Sequence, residues 1–499
     1  MAEKHQETSG DNIGALVRTA AGWQLLTKGI RTALQMISTI VLARLLIPAD
    51  FGIVAMAVMV TGLANIFREL GLGQALVQRK EISDHHTRSA FWGTLLMALV
   101  LYAGVFASAP HVGAYFNEPR MIPVLKLIAL TFVLSPFAVV PRSLLQRELD
   151  FKTPFFAGLA SSFSYGAVGI TMAIMGYGYW ALVGAALAGG LVNTVALCAL
   201  TGYIPPIIPS FRGIGDLYGF GVGVTGIAVG HYIAEKIDYF VIGRRLDSDA
   251  LGLYTHAYSF VTYPALIAGS VASVFFPAFS RMQDDKTRMQ SAYGRVTTLL
   301  ATVFWPMLAI ATVAAPELIP TVFGEQWTPS VLPAQIMVVI GLFKITSTPA
   351  GGVIKATAYV YGSAWRQFFY GALIGIGAWY TAPHGIVAVA LAVACANIVH
   401  YLLIGHLVWV AIDFGLTDYF RTFRGPVVTT VVSSAVGVAC RFGSIAAGHG
   451  DVITLLLTIL PAALVAYLLT RVLPFREVQS ALAELDKFQQ LGMRAVRFW

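Results

Sequence analysis

Residues 385–411 read GIVAVALAVACANIVHYLLIGHLVWVA, with no Asp, Glu, Lys or Arg. As a helix rising about 1.5 Å per residue, this stretch more than spans the roughly 30 Å hydrocarbon core of a bilayer. Lipid offers no partner for an open backbone N–H or C=O, so the run is expected to close its own hydrogen bonds as a membrane helix. Its polar members, Asn397, His400 and His406, read as interhelical glue rather than ligands.

Working outward, comparable runs lie near 21–44, 51–67, 89–110, 121–140, 154–175, 179–201, 217–242, 255–280, 291–315, 331–354, 363–380, 425–440 and 451–473. The chain therefore reads as an all-α integral membrane protein of about 14 transmembrane helices. Composition agrees: 57% of the 499 residues are hydrophobic and 12% charged, and the mean hydropathy is +0.72. Soluble domains average roughly 45–50% apolar and 25% charged. Cys198, Cys395 and Cys440 fall inside apolar stretches without paired or metal-like spacing, which gives no disulfide framework.

The net charge of +8 reflects topology rather than a nucleic-acid partner, because the basic residues gather in short connections. With the N-terminus inside, the even connections and both tails hold Lys4, Arg18, Arg79, Lys80, Arg142, Arg147, Arg281, Arg421, Arg424 and Arg494 among others. The odd connections hold only Arg44, Arg120, Arg244, Arg245 and Arg441. Excess Lys and Arg marks the cytoplasmic face, so both termini are expected in the cytoplasm. The opening MAEKHQETSGD lacks a cleaved-signal pattern, and the first span is expected to stay in the mature protein. Beyond Pro474, Val478, Leu482, Leu485 and Gln489 or Phe488 recur at helical steps, as in an amphipathic helix lying on the membrane.

ARLLIPADFGIVAMA from Ala43 aligns with GRRLDSDALGLYTHA from Gly243, matching Arg44 with Arg244, Gly52 with Gly252 and Ala57 with Ala257. The repeat relates spans 1–2 to spans 7–8 and predicts two six-helix lobes related by a pseudo-twofold, with two extra C-terminal helices. The expected divisions are a cytoplasmic segment 1–20, an N-lobe 21–201, a linker 202–216, a C-lobe 217–411, spans 13–14 over 412–473 and a cytoplasmic amphipathic tail 474–499.

Charge at mid-membrane costs about 2.5–3.5 kcal/mol on insertion scales and marks a wet cavity, a bundle interior or a pathway. Span 1 carries Lys28, Arg31 and Gln35 on one stripe; at the repeat-equivalent place span 7 carries His231, Glu235 and Asp238, with Lys236 alongside. Lys126 in span 4 and Lys344 in span 10 are single cations. Two readings stay open: these groups line a cavity, or they snorkel and pair internally, Lys236 with Glu235 or Asp238, and only hold the bundle together.

Other signals fail. Gly219, Gly221 and Gly223 open a membrane helix with no strand before them, so they are no dinucleotide loop. Asp84, His85 and His86, and Asp284 and Asp285, read as solvated turns. No metal site, cofactor, Walker loop or nucleophile–base pair is predicted, and the short connections leave no domain for an enzyme.

LGLGQALVQRK (70–80), RSLLQRELDFK (142–152), GYGYWALV (176–183), FPAFSRMQDD (276–285) and VFGEQWTPSVLPAQIM (322–337) together resemble the bacterial polysaccharide transporter family. Its members are flippases of lipid-linked oligosaccharides, within the multidrug/oligosaccharidyl-lipid/polysaccharide exporter superfamily. The resemblance implies an inner-membrane protein that moves undecaprenyl-pyrophosphate-linked repeat units for lipopolysaccharide, exopolysaccharide or capsule by alternating access. It also implies that polysaccharide polymerase and export machinery are prospective partners. On this reading Lys28, Arg31, Gln35, Lys126, Lys236 and Lys344 are the substrate-binding candidates, with Lys28 and Arg31 foremost for the pyrophosphate. His231, Glu235 and Asp238 are the ion-coupling candidates. The competing expectations are a multidrug or cation antiporter of the same superfamily, which would want an acidic cavity, and a membrane-bound polymerase or ligase.

Overall fold

The computed structural model describes residues 29–69, 82–148, 150–210 and 214–472, with 27, 73, 76, 77, 478 and 479 besides. Lys28, the segment 1–20, most of the 70–80 motif and nearly all of the tail 474–499 lie outside the described residues. Within them every regular element is a helix.

The helices run in chain order as α1 (29–45), α2 (Pro48–Glu69), α3 (Asp84–Tyr115), α4 (Met121–Ile128), α5 (Leu130–Leu134), α6 (Pro136–Arg147), α7 (Lys152–Ile174), α8 (Tyr179–Thr201), α9 (Ile214–Arg245), α10 (Ser248–Arg281), α11 (Lys286–Phe323), α12 (Val331–Ala356), α13 (Val360–Thr381), α14 (Ile386–Ile412), α15 (Leu416–Ala446) and α16 (Asp451–Val472). Ten of these segments are long and apolar enough to cross a membrane, or 11 when Met121–Leu134 and Pro136–Arg147, bent by 41°, count as one broken span. The bend falls where Pro136 removes a backbone donor. The described parts of the other three of the 14 expected stretches also fall on helices, α1, α9 and α13.

The sequence repeat reappears in the backbone. α1 stops at residue 45 and α2 starts at Pro48; α9 stops at Arg245 and α10 starts at Ser248. Leu46 N donates to Leu42 O at 2.9 Å, and Leu246 N to Ile242 O at 2.9 Å. The returning helices α8 and α14 also start alike, each just after a glycine with positive φ, Gly178 at 55° and Gly385 at 90°, where an L side chain is strained.

Two compact units emerge: residues up to Ile233 with Asp247–Asp249, and Ala234–Leu246 with the chain from Ala250 onward. In the first, α7 packs on α1 and α8 along small residues. Ser161 Oγ donates to Gly189 O at 2.8 Å, while Gly166 makes room for Ser38 and Gly169 for Leu42. Such seams let helix backbones approach where lipid supplies no hydrophobic drive. The connection after α3 folds onto the 247–249 turn of the same unit. There Arg120 grips Glu118 with two bonds of 2.8 Å, and Ser248 Oγ donates to Glu118 Oε2 at 3.0 Å. Gly52 faces the Ser248 carbonyl so closely that a Cβ would not fit. In the second unit, Phe279, Met289, Tyr293, Leu300, Phe304, Ile345, Val353 and Leu407 form a sealed apolar core. An ion pair, Arg441 to Glu317 at 2.7 Å, ties α15 to α11.

Candidate functional site

Within the second unit, α9, α10 and α12 bring together a polar cluster in otherwise apolar helices. Lys344 Nζ lies 3.1 Å from Glu235 Oε1 and 3.5 Å from the Tyr258 hydroxyl. Lys344 stands thirteen residues after the start of α12 and twelve before its end, counting from Val331 and Ala356, so the pair is held halfway along the helix. The two side chains keep 35% and 39% exposure.

One turn further on α9 the arrangement changes. Asp238 is 3% exposed and its carboxylate accepts the Tyr254 hydroxyl at 2.7 Å; the buried acceptor is thereby satisfied. Tyr254 stacks on Tyr258 at 6.4 Å and meets Tyr239 edge-on at 5.7 Å. The Lys236 ammonium sits 4.2 Å from the Tyr239 ring centroid, a cation–π placement. Small residues permit this density: a Cβ on Gly371 of α13 would stand 2.9 Å from that of Ala234, and one on Gly375 would stand 3.1 Å from Ile237.

Of the pairings left open by sequence, the structure puts Glu235 on Lys344 and Asp238 on Tyr254, and Lys236 over an aromatic ring. His231 lies in the first unit and is exposed. The tyrosines were not singled out from sequence. Their signal was the i, i+4 spacing of Tyr254 and Tyr258 in LGLYTHAYSF, which places both on one face of α10.

The first unit presents cations differently. Arg31 and Gln35 are exposed on α1. The Arg31 stem lies along α7, with its Cδ 3.1 Å from where a Gly158 Cβ would be. Lys126 is half-buried on α4, its ammonium 4.3 Å from the Phe106 ring centroid. Among the described residues, no carboxylate pairs with Arg31 or Lys126. Nor does any group of three His, Cys, Asp or Glu side chains there form a metal cage. Among the described residues, Arg31 and Lys126 of the first unit thus lack a carboxylate, and Lys344 of the second is matched to Glu235.

A polytopic helical bundle with charges held along its spans has the architecture of a multi-pass membrane protein. The solved structures that resemble it have that fold. A lipid II flippase, MurJ, in its inward closed conformation superposes with a TM-score of 0.72 at 13% identity, covering 89% of this chain and 98% of the other. An inward-facing multidrug resistance transporter of the MOP superfamily superposes with a TM-score of 0.60 at 15% identity, covering 77% and 94%. More particularly, the family model for polysaccharide biosynthesis proteins matches residues 41–332, more than half of the chain, and the chain belongs to that family. It is 25% identical to the lipopolysaccharide biosynthesis protein WzxC of Escherichia coli (strain K12), over 85% of this chain and 88% of the relative. It is 28% identical to the succinoglycan biosynthesis transport protein ExoT of Rhizobium meliloti (strain 1021), over 61% and 62%. The teichuronic acid biosynthesis protein TuaB of Bacillus subtilis (strain 168) is 24% identical, over 88% and 91%.

Proposed function

We propose that this protein flips lipid-linked oligosaccharide repeat units, carried on undecaprenyl pyrophosphate, from the cytoplasmic to the outer leaflet of a bacterial inner membrane. The lobes 21–201 and 217–411 alternate access, and both termini stay cytoplasmic. No bond is made or broken in this step. The cargo feeds lipopolysaccharide, exopolysaccharide or capsule synthesis, with polymerase and export machinery as the receiving partners. Family membership and relatives named for polysaccharide biosynthesis and transport support the reading.

One observation carries it: Arg31 stands on a membrane helix with no carboxylate partner among the described residues. A fixed cation lowers the barrier for a phosphate-bearing cargo, because charge interactions strengthen as the dielectric falls. Lys28, Gln35, Lys126, Lys236 and Lys344 are the further substrate-binding candidates. A drug or cation antiporter would want bare carboxylates, and Asp238 is instead sealed on Tyr254. The test is to delete the gene and assay lipid-linked repeat units. Accumulation on the cytoplasmic leaflet, reversed by the wild-type gene and not by an Arg31→Glu copy, is the expected result; no accumulation overturns the proposal.

Turnover draws on an ion gradient, with His231, Glu235 and Asp238 as the coupling groups, since carboxylate and histidine chains serve as ion relays in membranes. Glu235→Gln and Asp238→Asn variants are expected to export poorly. Normal export by both refutes the coupling.

A further inference from the structure

We infer that the cleft between α13 and α14, around Arg366 and His406, is a binding site for the headgroup phosphate of an anionic phospholipid of the surrounding bilayer. The site lies within the second unit and does not depend on what the protein transports.

Arg366 stands six residues after Val360, the start of α13, and His406 six before Ile412, the end of α14. The two helices close on each other there because Gly362 has no side chain: the Leu407 Cδ1 lies 3.2 Å from where a Cβ would be. Arg366 is 8% exposed, and its Nη1 donates to Gly362 O at 2.6 Å. That bond draws the guanidinium back one turn toward the start of the helix, to about 3 Å inside its end at 1.5 Å per residue. An arginine that snorkels this way reaches headgroup level.

The guanidinium arrives there with donors to spare. Its Nη2 meets His406 Nδ1 at 3.4 Å, its Nε is buried without a hydrogen-bond partner, and the Trp365 ring centroid lies 4.6 Å from its carbon. Among the described residues no carboxylate pairs with it. A cation drawn out of water without a counter-ion is costly, so an anion supplied from outside the chain stabilises this one. Arginine can only donate, so the His406 Nδ1 accepts and the ring proton sits on Nε2. His406 is exposed, and that N–H adds a second donor at the mouth of the cleft. A planar guanidinium beside another N–H matches the several oxygens of a phosphate.

The surroundings select a lipid over a free ion. Trp365 and Trp409 flank the mouth at 52% and 54% exposure, and Phe368 and Leu402, deeper in the helices, are 60% and 64% exposed. Leu402, His406 and Trp409 recur at four- and three-residue steps, so they share one face of α14. Indole rings favour the headgroup level, and the apolar side chains beneath them offer a surface to acyl chains. Basic pockets between membrane helices hold anionic headgroups in this way. A zwitterionic headgroup carries its own cation and gains less from a fixed arginine.

The test uses the full-length protein purified in detergent and titrated with phosphatidylglycerol or phosphatidylcholine, with bound lipid read by native mass spectrometry. The wild type is expected to retain phosphatidylglycerol roughly tenfold more tightly. Arg366→Gln is expected to lose that preference, and Arg366→Lys, which keeps the charge without the fork, to keep part of it. His406→Gln changes an exposed side chain and is expected to reduce the preference roughly threefold, the worth of one hydrogen bond. Equal retention of the two lipids by the wild type overturns the site. So does an undiminished preference in His406→Gln, which decides alone if Arg366→Gln does not fold. Displacement of phosphatidylglycerol by equimolar inorganic phosphate would make this a free-anion site, and displacement by undecaprenyl pyrophosphate at lower concentration would put it on the cargo path; either result overturns the lipid assignment.

Discussion

Positions 31 and 231, and 35 and 235, occupy the same place in the two halves of the internal repeat, yet they carry opposite electrostatic plans. The backbone around them repeats closely: both helices end at the equivalent residue, both with a 2.9 Å bond back to the last turn. The side chains do not. In the first half Arg31 and Gln35 are exposed, and no carboxylate among the described residues neutralises the arginine. In the second, Glu235 faces Lys344 and Asp238 is buried on a tyrosine. The lesson is that apolar packing and corner geometry maintain the fold of a repeat, while the few polar positions are free to diverge. Among the described residues, one region presents a cation without a carboxylate, and the other a lysine matched to one.

That contrast can be broken most sharply at Arg31. Replacing it with Glu makes the first region resemble the second without supplying a partner cation. Export measured as surface polysaccharide is expected to fall by roughly 10- to 100-fold, the factor that about 1.4–2.8 kcal/mol of lost attraction represents, with the protein still present in the membrane. In the second region, Asp238→Leu strands the buried Tyr254 hydroxyl and is expected to cost about 1–3 kcal/mol, seen as a lower Tm in detergent. Asp238→Asn keeps an acceptor and is expected to lose less than half as much.

A smaller effect is expected at the connection after α3. Arg120 holds the Glu118 carboxyl below its usual value of 4.5, so the stability from that pair is complete above pH 4.5 and drains away as the pH falls through the lower folded-state value. Glu118→Gln is expected to cost about 1 kcal/mol at neutral pH, discounted because Arg120 is half exposed and screened. It should also remove this part of the acid sensitivity in a Tm–pH series. The smallest change is expected from Phe106→Leu, which takes the ring from beneath Lys126 and should cost roughly 0.5–1 kcal/mol with export nearly intact. A large export defect there would show that the ring positions Lys126 for the cargo.

Much of the fold was legible because lipid leaves the chain few options. Wherever it is described, each apolar stretch named from hydropathy falls on a helix, and the match of Ala43–Ala57 to Gly243–Ala257 anticipated equivalent corners that the backbone repeats. The break at Ser135 was less legible, since 121–140 reads as one apolar run and only Pro136 and Pro141 hint at the bend. Individual charges were readable too, because every Lys or Glu in a span stands out against its neighbours. Their partners were not. Lys344 and Glu235 lie 109 positions apart, and Ser248 lies 130 from Glu118, so helix packing alone joins them. Tyr254 and Tyr258 escaped notice because an aromatic residue in a membrane helix looks like any other apolar one until its hydroxyl finds a carboxylate.

The central claim is met most directly by reconstitution. Purified protein in liposomes, with a fluorescent undecaprenyl-pyrophosphate-linked oligosaccharide in both leaflets, would be exposed to an impermeant external quencher. The account predicts that the inner-leaflet pool becomes quenchable with the wild-type protein and stays protected with Arg31→Glu or with empty liposomes. Protection of that pool by the wild-type protein under every imposed ion gradient would contradict it.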